Sequence, residues 1–271
     1  MRKGMNEQAC PETFIEVKPE EFCREIVLDF QTMETGLATI SLKPFAIGRY
    51  PVTNGQFHRF LQATHYKPQN GDAVTSELFL ACWEPGAGLP QDLWFHPVTF
   101  VSYDDSVAYA RWANGRLPTY KEWLYAACAP TNHKFPWGDT FSPDRCNVRE
   151  SEQGGTTPVG YYSPQGDSPI GCADMMGNVW EWTATTLGDG EEFFVAMGPG
   201  WDHHSFQTEI VLDRSYRNHS VGFRVAKDLV DPGFFTAEIA EHAEPDRIGP
   251  SLMKTQKKPF RTPTGRGREA S

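Results

Sequence analysis

The spacing of apolar positions changes several times along the chain, and each change predicts an element. Phe14-Ile15-Glu16-Val17-Lys18 alternates as a strand does, and Pro19-Glu20-Glu21-Phe22 reads as a helix start. Residues 37–50 read as strand and turn. From Val52 the period lengthens: Phe57, Phe60 and Leu61 fall on one helical face, with Thr53 or Asn54 placed to cap it. Residues 68–95 carry Gly, Pro and isolated aromatics and read as a loop insertion. Residues 96–102 look strand-like. Ser102 or Asp104 then caps a second helix with Val107, Ala110, Arg111 and Trp112 on its face. Thr119 caps a third, with Glu122 three residues on as its capping-box partner and Trp123, Ala126 and Ala127 on its face. From 129 to 228, short strands alternate with Gly/Pro loops. Beyond Ala226 the pattern stops; residues 229–271 hold one short helix near 235–242 and otherwise read as an extended tail.

Composition narrows the class. A chain of 271 residues suits one large domain with extensions, and 39% apolar with 13% aromatic residues is enough for a substantial core. The 24 Gly, 21 Pro and 8 Trp favour a loop-rich fold over a helical bundle. No apolar run of about 18 residues is present, so no membrane span is expected, and no apolar stretch follows Met1-Arg2-Lys3, so no secretory signal is visible. A cytoplasmic protein, or a virion or exported one without a visible signal peptide, is expected. The net charge of -10 disfavours nonspecific nucleic-acid binding by the main domain, although Arg247 to Glu269 holds seven Lys/Arg and one acid. Cys10, Cys23, Cys82, Cys128, Cys146 and Cys172 form no C-x-x-C pair and read as free thiols rather than a zinc site.

Six segments then fall in a telling order: Tyr50-Pro51-Val52-Thr53-Asn54, His96-Pro97-Val98, Arg116-Leu117-Pro118-Thr119 with Glu122-Trp123, Phe135-Pro136-Trp137-Gly138-Asp139, Met176-Gly177-Asn178-Val179-Trp180-Glu181-Trp182 and Gly222-Phe223-Arg224. Together they resemble the formylglycine-generating enzyme, or sulfatase-modifying factor, family. The resemblance implies an α+β, loop-rich variant of the C-type lectin fold, with small antiparallel sheets and a few helices. The expected organisation is an N-terminal extension at 1–35 packed on the domain, the family domain at 36–228, and a C-terminal tail at 229–271, basic at its end. Trp112, Trp123, Trp137, Trp180 and Trp182 read as rigid scaffold, and Arg116 and Arg224 as donors to several carbonyls at once.

The resemblance also implies calcium. One ligand set would be the Asp174 and Glu181 carboxylates with the Gly177 and Val179 carbonyls. Without metal, Asp174 caps a turn and Glu181 meets Arg116 or Arg224. A second set would use Asn147, the Val148 carbonyl and Glu150 or Glu152. The family's enzyme oxidises a target cysteine with O2 and resembles a copper(I) enzyme using two of its own cysteines, because soft thiolates suit Cu(I). The matching stretch here, Gly198 to Arg224, contains no cysteine, and the usual Arg-Gly-Gly-Ser-Trp reads Met197-Gly198-Pro199-Gly200-Trp201. No copper and no formylglycine generation are therefore expected. The related sulfoxide synthases of the ergothioneine type draw iron ligands from a separate helical domain, for which this chain has no room.

Two function classes follow. In the first, the protein binds a ligand or protein through one loop face carrying Trp201, Asp202, His203, His204, Phe206, Arg214, Tyr216 and Asn218, because aromatics mixed with short polar groups give contact area and adaptable hydrogen bonds. This resembles the variable proteins of diversity-generating retroelements. Residues 202–206 and 213–220 contain none of the five residue types (Met, Trp, Gln, Lys, Glu) that adenine mutagenesis of AAY codons cannot produce. In the second, it is a cysteine-independent oxidoreductase or maturation factor for a small molecule, with Asp202, His203, His204 and Glu209 as candidate groups. His203 and His204, with Asp202 and His219 nearby, are residue types that bind Fe, Cu or Zn, but adjacent histidines in extended chain point apart. The expected partner is an unidentified protein or surface ligand, with no membrane involved.

Overall fold

The computed structural model describes residues 13–29, 34–68, 77–83, 88–131, 133–188, 190–229 and 247–248. The first sheet joins distant parts of the chain. Strand β1 (Phe14–Val17) and β9 (Ala226–Asp228) flank β4 (Phe45–Gly48), both antiparallel to it, with Phe14 opposite Gly48 and Ile47 opposite Ala226. Strands β2 (Phe22–Asp29) and β3 (Glu34–Ile40) form a separate hairpin. The largest sheet is built on β5 (Trp180–Leu187), β6 (Phe193–Met197) and β7 (Glu209–Asp213), paired antiparallel in that order. Short β8 (Val221–Gly222) and β10 (Arg247–Ile248) lie parallel to opposite ends of β5. The remainder of the expected tail, including residues 235–242, lies outside the described residues.

The three helices begin where local capping chemistry dictates. Helix α1 (Asn54–Thr64) is capped by Thr53 with Gln56, α2 (Tyr103–Trp112) by Ser102 with Asp105, and α3 (Tyr120–Cys128) by Thr119 with Glu122; each pair forms a reciprocal capping box. Phe57, Phe60, Trp123, Ala126 and Ala127 are buried as their spacing predicts. Two expectations are corrected. Pro19 to Phe22 starts no helix, because the chain runs on into β2 and buries Phe22 and Ile26. The buried face of α2 is Asp105, Ser106, Tyr109 and Ala110, and Trp112 is 39% exposed, because Asp105 and Tyr109 have partners inside. Residues 96–102 bend at His96 and at Phe100, which takes φ +57, and make one isolated bridge, Thr53 with Pro97, so they serve as a strut rather than a strand.

One core packs β1 to β4 against α3; another packs α1 and α2 against Trp180, Trp182 and Phe223. Between them lies a fully buried ion pair. The Arg224 Nε donates to Glu181 Oε2 at 2.6 Å and Nη2 to Oε1 at 2.7 Å, while the Trp123 indole donates to Oε2 at 2.7 Å. The remaining guanidinium donors reach the carbonyls of Gly48, Arg49 and Ala173. Arg224 is the partner that Glu181 takes; Arg116 instead grips Glu122 and Asp228. Breaking a buried pair from one side leaves an uncompensated charge. Glu181→Gln should therefore cost about 3 kcal/mol or more of unfolding free energy in urea with an unchanged m-value. A loss below about 1 kcal/mol would mean that the pair contributes no more than a surface bridge.

Candidate functional site

Two loops meet at one end of the β5–β6–β7 sheet. The β6–β7 connection, residues 198–208, is fastened by Gly198 N to the Thr208 carbonyl at 2.9 Å and by Trp201 N to the Asn178 carbonyl at 3.1 Å. Gly200 is required because a Cβ there would lie 2.7 Å from the Cβ of Ser220, on the second loop. That loop, residues 214–220, is tied to the start of α2. Arg217, fully buried, donates through Nε and Nη2 to Asp105 Oδ2 at 2.9 and 2.8 Å, and Asp105 also accepts from the Tyr66 hydroxyl at 2.9 Å. Arg214 pairs with Asp104 at 2.6 Å, and Phe100 N donates to the Asn218 carbonyl at 2.9 Å.

Where the loops touch, Asp202 is clasped by two imidazoles. Its Oδ1 is 2.8 Å from His203 Nδ1 and its Oδ2 is 3.0 Å from His219 Nε2. Desolvation raises the Asp202 carboxyl, but hydrogen bonds from Ser220 and His203 outweigh it and hold the group below the ordinary carboxylate range. His219 and Trp201 line a pocket of about 400 Å3 whose other walls include Asn54, Cys82, Leu93, Pro97, Thr99, Phe100, Gly155 and Thr156. Burial raises the Cys82 thiol, which sits 3.6 Å from the Thr99 hydroxyl. Behind Thr156, His96 is shifted down by desolvation and meets the Thr156 hydroxyl at 2.9 Å.

A loop-rich α+β domain with three capped helices and one loop face over a pocket has the architecture of the formylglycine-generating-enzyme type. The chain belongs to the family of sulfatase-modifying factor enzyme 1-like domains, which matches residues 5–229. It is 33% identical over 207 residues to the formylglycine-generating enzyme of Mycobacterium tuberculosis, covering 58% of this chain and 68% of that protein. It is 33% identical over 203 residues to the inactive C-alpha-formylglycine-generating enzyme 2 of Mus musculus, covering 60% of this chain and 65% of that one. The chain thus spans about two thirds of the length of these curated relatives. PvdO from Pseudomonas aeruginosa has a similar structure, with a TM-score of 0.64 and 25% identity over 80% of this chain and 94% of that one. Treponema denticola variable protein 1 shares the fold alone, with a TM-score of 0.60 and 15% identity over 79% and 94% of the two chains.

None of the eight residues expected on the loop face is buried, but they divide into three groups. Trp201, Asp202 and His203 gather at the clasp. His204 stacks on Phe206, itself 77% exposed, and faces Glu150. Arg214 is committed to Asp104, and Tyr216 accepts from Asn218 Nδ2 at 3.0 Å. Residues 210–212 are half-buried in β7. Of the residues lining the pocket, Trp201 alone belongs to the loop-face set; His219, Cys82, Thr99 and Phe100 are among those the set leaves out.

In the structure most groups of the two calcium sets have protein partners. Glu181 spends its oxygens on Arg224 and Trp123. The Gly177 carbonyl accepts from Val179 N at 3.0 Å; Gly177, at φ +104, sits where any Cβ would collide with the Asn147 carbonyl. In the second set, Asn147 keeps a buried Oδ1 with no partner among the described residues, but Glu150 turns to Ser205, Glu152 is exposed and the Val148 carbonyl accepts from Ser151 N. Among the described residues, no three His, Cys, Asp or Glu side chains cluster as a metal would require. If calcium is held there, EDTA should lower the melting temperature and added Ca2+ should restore it; an unchanged melting temperature would remove the calcium assignment.

Asp174, half-buried, accepts from Gly160 N at 2.6 Å, and desolvation pushes its carboxyl up to about 7. Its folded pKa lies above its unfolded one, so its contribution is intact below about pH 4 and is lost as pH rises through about 7. Asp174→Asn should therefore gain stability relative to wild type at pH 8, with little difference at pH 3.5, in paired thermal melts (pH values chosen about the bounds above). Equal differences at both pH values would contradict the raised pKa.

Proposed function

We propose that this chain is a ligand-binding member of its family, taking a small ring-bearing molecule into the pocket beneath the loops at 201–220. The pocket itself carries the reading. About 400 Å3 is a small-molecule volume, and its lining combines aromatic walls, Trp201 and Phe100, with the neutral hydroxyls of Thr99 and Thr156. The scaffold beneath is fixed independently by the Arg224 network and the Asp105 anchor, an arrangement in which loops carry recognition and the frame carries stability. The name of the mouse relative, an inactive C-alpha-formylglycine-generating enzyme, shows that the fold also occurs in a protein described as without that activity.

The family's thiolate chemistry is not part of this proposal. Among the pocket-lining residues Cys82 is the single cysteine, and a thiol raised by burial is a poor source of the thiolate that Cu(I) takes. Purified protein supplied with copper and a sulfatase-type cysteine peptide should yield no formylglycine by mass spectrometry, and detectable product would overturn this part of the reading.

Binding is tested with a library of small aromatic fragments by ligand-observed NMR. Wild type should give hits, and Trp201→Ala should lose them while unfolding within about 1 kcal/mol of wild type, because Trp201 is partly exposed and its removal opens no core cavity. Hits that survive the substitution would place recognition elsewhere, and a well-folded wild type without hits would remove the small-molecule reading.

A further inference from the structure

The clasp around Asp202 fixes where the protons sit. An ionised carboxylate only accepts hydrogen bonds, so each imidazole nitrogen facing it must carry a hydrogen. Nδ1 of His203 and Nε2 of His219 are those nitrogens, at 2.8 and 3.0 Å. A neutral His219 therefore holds its hydrogen on Nε2 and keeps a lone pair on Nδ1. The two histidines have different surroundings. His203 sets its ring edge-on to buried Trp180, with centroids 5.3 Å apart, and is not among the pocket-lining residues. His219 lines the pocket, its ring 5.2 Å from Trp201 and 6.3 Å from Phe100. Among the described residues, Nδ1 of His219 has no hydrogen-bond partner.

We propose that Asp202 and His219 form a proton-accepting pair at this pocket, and that the occupant is a flat ring bearing an acidic O–H, a phenol or an enol. This rests on the ligand-binding reading above and adds the chemical class of the ligand. In the step, the O–H bond of the ligand breaks, its electron pair stays on oxygen, and the proton forms a new N–H bond at Nδ1. The imidazolium so made is stabilised by Asp202 on one side and by the new oxyanion on the other, and nothing is oxidised or reduced. Asp202 is suited to the role because its carboxyl stays ionised below the ordinary range. The other walls supply no competing base: Trp201 and Phe100 are uncharged, Cys82 is held as a thiol, and His96 is turned to Thr156. A carboxylic acid, already ionised at neutral pH, would have no use for a base, and its charge would face the negative charge of Asp202 across the imidazole ring.

The probes are 4-nitrophenol, whose phenolate is yellow, and 4-nitroanisole, its methyl ether, which has no proton to give. Wild type should bind 4-nitrophenol and raise its ionisation constant at least about tenfold over that in water, read as phenolate absorbance against pH. 4-Nitrophenol bound to His219→Gln, its fold checked by thermal melt, should ionise as in water, and should that variant not bind the phenol, Asp202→Asn carries the test. Asp202→Asn, which keeps the imidazole but removes the fixed charge, should lose most of the shift. The same ionisation shift in wild type and His219→Gln would overturn the proton-accepting pair and leave the pocket reading standing. Binding of 4-nitroanisole but not of 4-nitrophenol by wild type would overturn the ligand class in the same way. Should neither probe bind to wild type, the proposal fails, and the aromatic-fragment screen then decides separately whether the pocket reading fails with it.

Discussion

The buried pair between Arg224 and Glu181 is the constraint on which the rest of the structure depends. A guanidinium in a dry interior must have its charge and its donors answered, and the chain meets that demand by bringing four remote segments to one point. Glu181 comes from β5, Trp123 from α3, the Gly48 and Arg49 carbonyls from the end of β4, and the Ala173 carbonyl from the long loop before β5. In a fold with so few ladder hydrogen bonds, this cluster does what a continuous sheet does elsewhere: it satisfies buried backbone carbonyls and fixes the spacing between two cores.

A second buried pair, Arg217 with Asp105, performs the same service for the functional face. It pins the 214–220 loop to the capped start of α2, so that His219 and Ser220 arrive opposite Gly200 and Asp202. The close approach of the two loops at Gly200 then brings Asp202 within reach of both imidazoles. The pocket is thus defined by the frame, to which Asn54 and Pro97 also belong, while the loops add Trp201 and His219. That separation permits family members to keep the scaffold and differ in what the loops do.

The sequence revealed what is local and withheld what is assembled. Helix starts were legible at Thr53, Ser102 and Thr119 because a capping box is complete within four residues. The order of the family motifs was legible because each is contiguous. The start of β2 was misread because Pro19-Glu20-Glu21 carries helix-start chemistry, whereas hairpin pairing with β3 decides the outcome. The burial of α2 was read one position off because Asp105, polar by type, is buried by Arg217 and Tyr66, which lie far away in sequence. The choice of Arg224 over Arg116 as the partner of Glu181 was open for the same reason. The pocket was invisible because Asn54, Cys82, Leu93, Thr99, Thr156 and His219 share no spacing, and only the folded chain brings them together. Asp202 and His203 were singled out as chemistry-bearing residues, but their arrangement about one carboxylate depends on His219 from the second loop.

The proposed small-molecule site lies between the loops at 201–220 and the strut at residues 97–100. A crystal structure of the protein soaked with the tightest-binding aromatic fragment tests it most directly. The ring is expected between Trp201 and Phe100, with a polar atom within hydrogen-bond distance of His219 Nδ1. A fragment bound at any other surface, with the pocket filled only by solvent, would contradict it.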